Sequence, residues 1–353
     1  MMKSTDEMVS NSNFFETINT LVSANKTFFC SRLPNSKRLT LSSGNTKKIP
    51  RSKIKGNGIF IMPFNEKNLG YKINPSFVYE TKIEHKLNSN KNSLISLKEF
   101  TKNEDKESYK LSIEKLIEEI RLGKLSKIVF SKKITLDYSD SNQITIFKNI
   151  LDLYSEAFCY LFYTPNEGFW MGASPELLFK TEEDSISTMA LAGTKFNINS
   201  DWGDKEYSEQ QIVQDEILES LKPLCSSVAI GKTQTISAGK IQHLKTDFKG
   251  TTRASTIRLV NALFPTSAVA GYPRKAALKL LSKHEEHERS LYSGFLGTCK
   301  DDDSSLFVNL RCLNIKNDKI SFYVGSGITK DSVPDNEWNE ILKKSETMLS
   351  AIF

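Results

Sequence analysis

The sequence predicts an α+β fold, with strands in antiparallel runs and helices in blocks between them. Three observations carry this. Strand-like apolar runs follow one another from Lys127 to Lys180 and again from Ser293 to Gly327, without a helix after each strand. Helical stripes are confined to a few segments, the clearest beginning at Ser108, with apolar residues at 111, 113, 116, 117 and 120. Neither GxGxxG nor GxxxxGK[ST] occurs, so dinucleotide and P-loop folds find no support.

The composition fits a water-soluble globular chain. It has 353 residues, 39% hydrophobic and 25% charged, enough for one large domain or two smaller ones. No apolar run approaches the roughly 20 residues of a membrane span, and the N-terminus lacks the apolar core of a secretory signal. Five widely spaced cysteines without a CxxC pair suit small buried side chains and a reducing cytoplasm. Net charge is +6, but residues 1–110 carry 19 Lys and Arg against 10 Asp and Glu, whereas the remainder carries 29 against 32. The basic surplus therefore sits where motifs are poorest. That argues against nucleic acid as a partner.

Residues 1–100 read as a variable N-terminal part of the fold and 108–353 as its catalytic region. In the first part, Gly58–Phe64 and Ser76–Glu80 are expected strands. Asn35–Lys53 is polar and basic and is expected to be a loop. Asn88–Asn103 is rich in Lys, Asn and Ser and reads as a connector. From Ser108 come a helix ending near Gly123 and strands at Lys127–Leu136 and Ala157–Thr164. Two strand pieces flank Ser-Pro within Gly168–Lys180, and a strand at Ser185–Lys195 runs into a Gly-Thr turn. Asp204–Leu224 is expected to be helical, followed by strands in 227–237 and 240–250. Helices are expected in 254–265 and 272–286, the second opening on proline. Three strands, 293–299, 306–315 and 319–327, then lead to a last helix at Asn336–Ile352.

Within this frame a few residues could carry chemistry. Gly325 and Gly327 in YVGSG leave backbone N–H groups open to an anion. Glu337 and Glu340 share one helix face with Lys344 a turn further on, and Glu206 and Glu209 repeat that spacing. Were the two helices to face each other, four carboxylates would need a cation, and an all-oxygen set favours Mg²⁺. On spacing alone they are two solvated faces. Lys127 reads as an edge residue with its ammonium in solvent, although a buried lysine is desolvated and can serve as a base. Glu176, among apolar residues, reads as an edge carboxylate paired with a lysine or as an acid. His243 and Arg311 each fall within an apolar strand, where a buried arginine needs an anionic partner. His284 and His287, in HEEH, read as a solvated helix face.

The order of KIVFSK, GASPELLF, ALAGTK, KEYSEQ, IQHLKT, AVAGYPRKAAL, ERSLYSGFLG, VNLRC, YVGSGI and PDNEWNEILKK resembles that of the motifs of the chorismate-utilising enzymes, over about residues 108–353. Within them the chain is most similar to the isochorismate synthases of menaquinone or siderophore pathways. The resemblance implies two packed antiparallel sheets flanked by helices, with a deep active-site cleft. It implies Mg²⁺ bound directly by Glu209 and Glu340 and through water by Glu206 and Glu337. Lys127 matches the general base and Glu176 the general acid. Gly193 and Thr194 match the turn beneath the substrate ring, and His243, Tyr292, Arg311, Gly325, Gly327 and Lys344 match substrate-pocket positions.

The implied activity is conversion of chorismate to isochorismate, by an isomerase acting as a cytoplasmic monomer without a glutaminase subunit, nucleic acid or membrane. Salicylate synthesis, an anthranilate-type reaction and a non-catalytic binding role are the alternatives. Lys127 and the absence of an Arg-Asn-Asp signature after Gln210 speak against ammonia use. Gln210 itself departs from the histidine usual in the family and leaves the hydrogen bonding of its helix open.

Overall fold

The computed structural model describes residues 6–83, 103–139, 142–196, 200–238, 241–301 and 303–352. The first part supplies β1 (Asp6–Met8), α1 (Asn11–Ser23), β2 (Phe28–Arg32), β3 (Arg38–Ile49), β4 (Gly58–Met62) and β5 (Gly70–Lys82). Next come α2 (Asn103–Arg121), β6 (Lys127–Asp137), α3 (Gln143–Leu153), β7 (Phe158–Thr164), β8 (Gly168–Ser174), β9 (Leu177–Glu182) and β10 (Ser185–Lys195). Then follow α4 (Asp204–Leu221), β11 (Cys225–Ile230), β12 (Gln234–Ala238), β13 (Ile241–Thr252), α5 (Thr256–Leu263), β14 (Gly271–Tyr272) and α6 (Arg274–His284). The chain ends with β15 (Phe295–Lys300), β16 (Asp303–Val308), β17 (Cys312–Lys316), β18 (Lys319–Ile328) and α7 (Pro334–Ile352).

The strands form one hydrogen-bonded ladder that folds back on itself. One half runs β14–β6–β18–β17–β8–β7–β2–β3–β5. The other leaves β5 through β4 and runs β15–β16–β9–β10–β13, with β11 and β12 on the last strand. These pairings are antiparallel, and β1 joins β5 in parallel.

Side-chain alternation explains how the halves pack. In β7, Phe158, Tyr160 and Phe162 point into one cluster, while Cys159, Leu161 and Tyr163 point into another. In β4, Ile59 and Ile61 join the first of these, and Phe60 and Met62 point away. The inner cluster, with Trp170, Leu296, Phe307 and Tyr323, therefore lies between the two halves. Helices α2, α3, α6 and α7 cover the outer face of the first half, and α4 and α5 cover that of the second. Each fully buried aromatic or aliphatic side chain contributes on the order of 1.5–3 kcal/mol. The α+β expectation and the two packed antiparallel layers flanked by helices hold.

Several expectations need correction. Asn35–Lys53 is not a loop, because most of it is the twelve-residue strand β3. Leu39 and Leu41 are buried at alternate positions, and partners β2 and β5 lie on both sides. The run 306–315 is not one strand. It breaks at Asn309–Arg311, where Arg311 takes φ 47°. The HEEH stretch is not a solvated face either. The helix ends at His284, and Glu285 turns inward to an ion pair with Arg289 and a hydrogen bond from Ser131 Oγ at 2.6 Å. Nearly all of the connector read at Asn88–Asn103 lies outside the described residues. The five cysteines are free, and all but Cys225 are buried. No helix among the described residues is long and apolar enough to cross a membrane.

Candidate active site

Lys127 opens β6, which is a central strand rather than an edge. It pairs with Tyr272 of β14, and from Ile128 onward β6 is laddered to β18. Its side chain is fully buried, so the edge reading fails at this position. The ammonium lies 2.8 Å from Glu209 Oε1, an ion pair outside ordinary hydrogen-bond angles. Burial pushes the Glu209 carboxyl up, but Lys127, with Lys205 and Lys344 further off, outweighs it and holds Glu209 below the usual range.

Gly327 makes this approach possible. A Cβ there would lie 2.3 Å from Glu209 Oε1 and 3.3 Å from Lys127 Cε. The strand must stay bare for helix α4 to lay its carboxylate on it. Gly325 faces Tyr292, whose hydroxyl would be 3.0 Å from an added Cβ, and Tyr292 stacks on Tyr323 with ring centroids 5.5 Å apart. The carbonyl of Gly325 accepts from Lys344 Nζ at 3.0 Å, and Lys344 also pairs with Glu340 at 2.7 Å.

Glu176 sits in the break between β8 and β9, fully enclosed. Its carbonyl accepts from Val308 N at 3.0 Å, and its own N–H donates to Ser174 Oγ at 3.3 Å. Burial pushes its carboxyl up to about 8, although Thr266, which donates to Oε1 at 3.3 Å, and the charge of Lys127 both pull it down. An acid so placed keeps its proton at neutral pH.

His243 links two other predicted residues. Its Nδ1 is 2.8 Å from the carbonyl of Gly193, and its Nε2 is 2.6 Å from an Arg311 nitrogen. Because arginine only donates, Nε2 accepts and Nδ1–H donates. Burial, then the charges of Arg311 and Lys344, push His243 well down, which keeps it neutral. Arg311 is itself pushed down to about 10 by burial. Gly193 takes φ +68° at the end of β10, and Thr194 follows it.

Glu176, Glu209, Gly193, Thr194, His243, Tyr292, Arg311, Gly325, Gly327 and Lys344 border one cavity of about 100 Å³. That is below the roughly 300–1,000 Å³ of ordinary small-molecule sites. Lys127, Glu206, Glu337 and Glu340 lie outside its lining. Glu337 pairs with Lys205 at 2.7 Å, which joins the start of α4 to the start of α7. Burial, then nearby Glu340, push Glu337 up, with Lys205 opposing. Glu206 turns to its own helix and accepts from Gly203 N at 3.0 Å. Among the described residues, no three His, Cys, Asp or Glu side chains are drawn together as a ready metal cage.

The carboxylates nevertheless fit a hard cation. Glu209, Glu337 and Glu340 are each matched by a different lysine, Lys127, Lys205 and Lys344. Glu337 is 1% exposed, and its Oε2 makes no well-formed hydrogen bond. Buried anions with an orphaned oxygen call for positive charge, and all-oxygen donors suit Mg²⁺.

Three supporting residues were not legible as such. Thr266 carries no motif signal. Gln210, 1% exposed, donates to Ala190 O at 3.2 Å and Thr246 Oγ1 at 3.0 Å, tying α4 to β10 and β13. Lys205 gave one faint signal, since a cation in a helix's first turn opposes the macrodipole.

The family described as "Chorismate binding enzyme" matches residues 71–353. Isochorismate synthase MenF of Escherichia coli (strain K12) is 30% identical over 256 residues, 68% of this chain and 59% of that protein. Isochorismate synthase DhbC of Bacillus subtilis (strain 168) is 27% identical over 269 residues, 70% of this chain and 68% of that one. The chain thus spans about three fifths of the length of the MenF proteins it matches. In fold it is similar to a putative 2,3-dihydroxybenzoate-specific isochorismate synthase, DhbC, from Bacillus anthracis. The TM-score is 0.81 at 23% identity, covering 95% of this chain and 98% of that one. Anthranilate synthase component I from Streptococcus pneumoniae shares the fold at TM-score 0.68 and 15% identity, covering 92% and 90%.

Proposed function

The chain belongs to the chorismate-binding enzyme family, and we propose that it is an isochorismate synthase, converting chorismate to isochorismate reversibly with Mg²⁺. The observation that carries this reading is a pair of fully buried titratable side chains, Lys127 and Glu176, within electrostatic reach of each other, with Glu176 pushed up to about 8. A base and a still-protonated acid at one site are what exchange of a hydroxyl across a ring requires.

Lys127, acting in its unprotonated amine form, takes a proton from a water that attacks C2 of the ring. The ring double bonds shift, and the bond from C4 to its hydroxyl breaks. Glu176 gives its proton to that leaving hydroxyl, which departs as water, so one water enters and one leaves. Arg311, Lys344 and the backbone at Gly325 and Gly327 hold the substrate carboxylates, while Gly193 and Thr194 lie beneath the ring. His243 and Tyr292 complete the pocket. Glu209 and Glu340 would hold Mg²⁺, and Glu206 and Glu337 would support it from the outer side. When bound, the ion neutralises and orients the ring carboxylate. Residues 1–100 form a variable part of the fold, and 108–353 carry the chemistry. The enzyme acts as a cytoplasmic monomer without a glutaminase, nucleic acid or membrane.

The test is incubation with chorismate and Mg²⁺, with products read by mass and fluorescence. A non-fluorescent product of unchanged mass, resolved from chorismate by chromatography, is expected. Fluorescent salicylate with pyruvate would reassign the chain to salicylate synthesis, and no turnover with intact folding would overturn an enzymatic role.

A further inference from the structure

Lys205 has no part in the reaction as proposed, yet it sits at the electrostatic centre of the glutamate cluster. Its ammonium is 2.7 Å from Glu337 Oε1, and the charges of Glu337, Glu340 and Glu209 all act on it. Glu337 is 1% exposed, and its other oxygen is buried without a well-formed partner. We propose that Lys205 is a tethered counter-cation, which fills the carboxylate cluster in the metal-free protein and must leave it when the divalent ion binds. Lys205 therefore competes with the metal and sets its affinity. This rests on the assignment of Glu209, Glu337 and Glu340 to a metal site.

The three lysines of the cluster differ in their freedom to leave. Lys127 is fully buried in a central strand. Lys344 also donates to Gly325 O at 3.0 Å. Lys205 bonds Glu337 alone, its side chain is 28% exposed, and its neighbours Asp204 and Tyr207 are exposed. It stands in the first turn of α4, where the helix dipole opposes a cation. Without the carboxylates nothing would hold it inward. A +2 ion among these carboxylates is repelled by each nearby ammonium, and an ammonium that can turn outward relieves part of that repulsion. Lys344 is nearly as exposed, at 23%, but its second bond to Gly325 O holds it, so Lys205 is the one that yields.

The experiment follows Mn²⁺ binding to the full-length, substrate-free protein through loss of the free-ion EPR signal. Lys205→Met is expected to lower the Mn²⁺ Kd by about tenfold or more, the scale of one charge-assisted hydrogen bond. Lys205→Arg, which keeps the charge, should stay near wild type. Lys343→Met removes a cation on the same helix as Glu337 and Glu340, whose ammonium lies over the ring of Phe196 beyond β10, and should shift Kd little. Thermal melting gives a second readout. The metal-free Lys205→Met protein should melt below wild type, and saturating Mn²⁺ should close the gap. Unchanged or weaker Mn²⁺ binding by Lys205→Met would overturn the proposal. A wild-type Kd unaltered by Glu340→Gln, or no saturable binding in any variant, would instead overturn the metal assignment beneath it.

Discussion

Gly327 and Glu209 are in contact across the join of β18 and α4: a Cβ at 327 would come within 2.3 Å of Glu209 Oε1. Lys127 Nζ closes the other side at 2.8 Å. The carboxylate is therefore held between a strand that carries no side chain and a lysine that cannot leave. Gly327→Ala should expel Glu209 and separate it from Lys127. Overpacking of this kind costs on the order of 1–3 kcal/mol, so the variant should still fold. Its turnover should fall far more than its stability, by about 100-fold or more if the glutamate positions the chemistry. Parallel denaturation and steady-state kinetics check this, and wild-type turnover would remove Glu209 from the site.

Lys127→Ala and Glu176→Gln should each lower kcat by about 10²–10⁴-fold, the usual span for loss of a positioned base or acid. Glu176→Gln keeps the shape and Thr266's contact, so KM should change little. Turnover close to wild type in either variant, with folding intact, would refute the base and acid roles.

The same glutamate makes a pH prediction. Its carboxyl is raised from 4.5 to about 8 in the folded protein. A group raised on folding stabilises fully below its unfolded pKa, and that contribution is lost as pH rises through its folded pKa. Wild type should therefore lose stability relative to Glu176→Gln between about pH 4.5 and 8, and the difference should level off above that range. The gap at the plateau should be a few kcal/mol at most. Activity should fall over the upper part of this window as the acid deprotonates. Chemical denaturation of both proteins at a series of pH values is the check, and parallel curves would contradict the raised carboxyl.

The paired glutamates on α4 and α7, the strand that carries YVGSG and most helices were legible in the sequence, because spacing within one element depends on neighbours close in the chain. The state of Lys127 was not. Its burial follows from β18 and β14 flanking β6, and those strands lie more than 140 residues downstream. Asn35–Lys53 was misread because its lysines occupy the outer end of β3, where side chains reach solvent, and they masked the Leu39–Leu41 alternation. Arg311 was read into a strand because the break at 309–311 carries no glycine or proline to announce it. Glu285 was read as exposed because its partners Ser131 and Arg289 come together only in three dimensions.

Removal of metal should separate the two layers of the site. EDTA should abolish turnover and added Mg²⁺ restore it, since three carboxylates now held by lysines would need the ion to bind a doubly anionic substrate. Glu340→Ala should not recover at ordinary Mg²⁺, because it would remove one of the two carboxylates proposed to hold the ion and leave Lys344 with only the Gly325 carbonyl. Arg311→Ala should behave differently. Its guanidinium rests on His243 rather than on the carboxylates, so its loss should raise KM by roughly 10–100-fold and leave the Mg²⁺ dependence unmoved. Kinetics across a Mg²⁺ series separate the cases. Full activity in EDTA would dismiss the metal, and an Arg311→Ala defect cured by excess Mg²⁺ would place that arginine with the ion instead of the substrate.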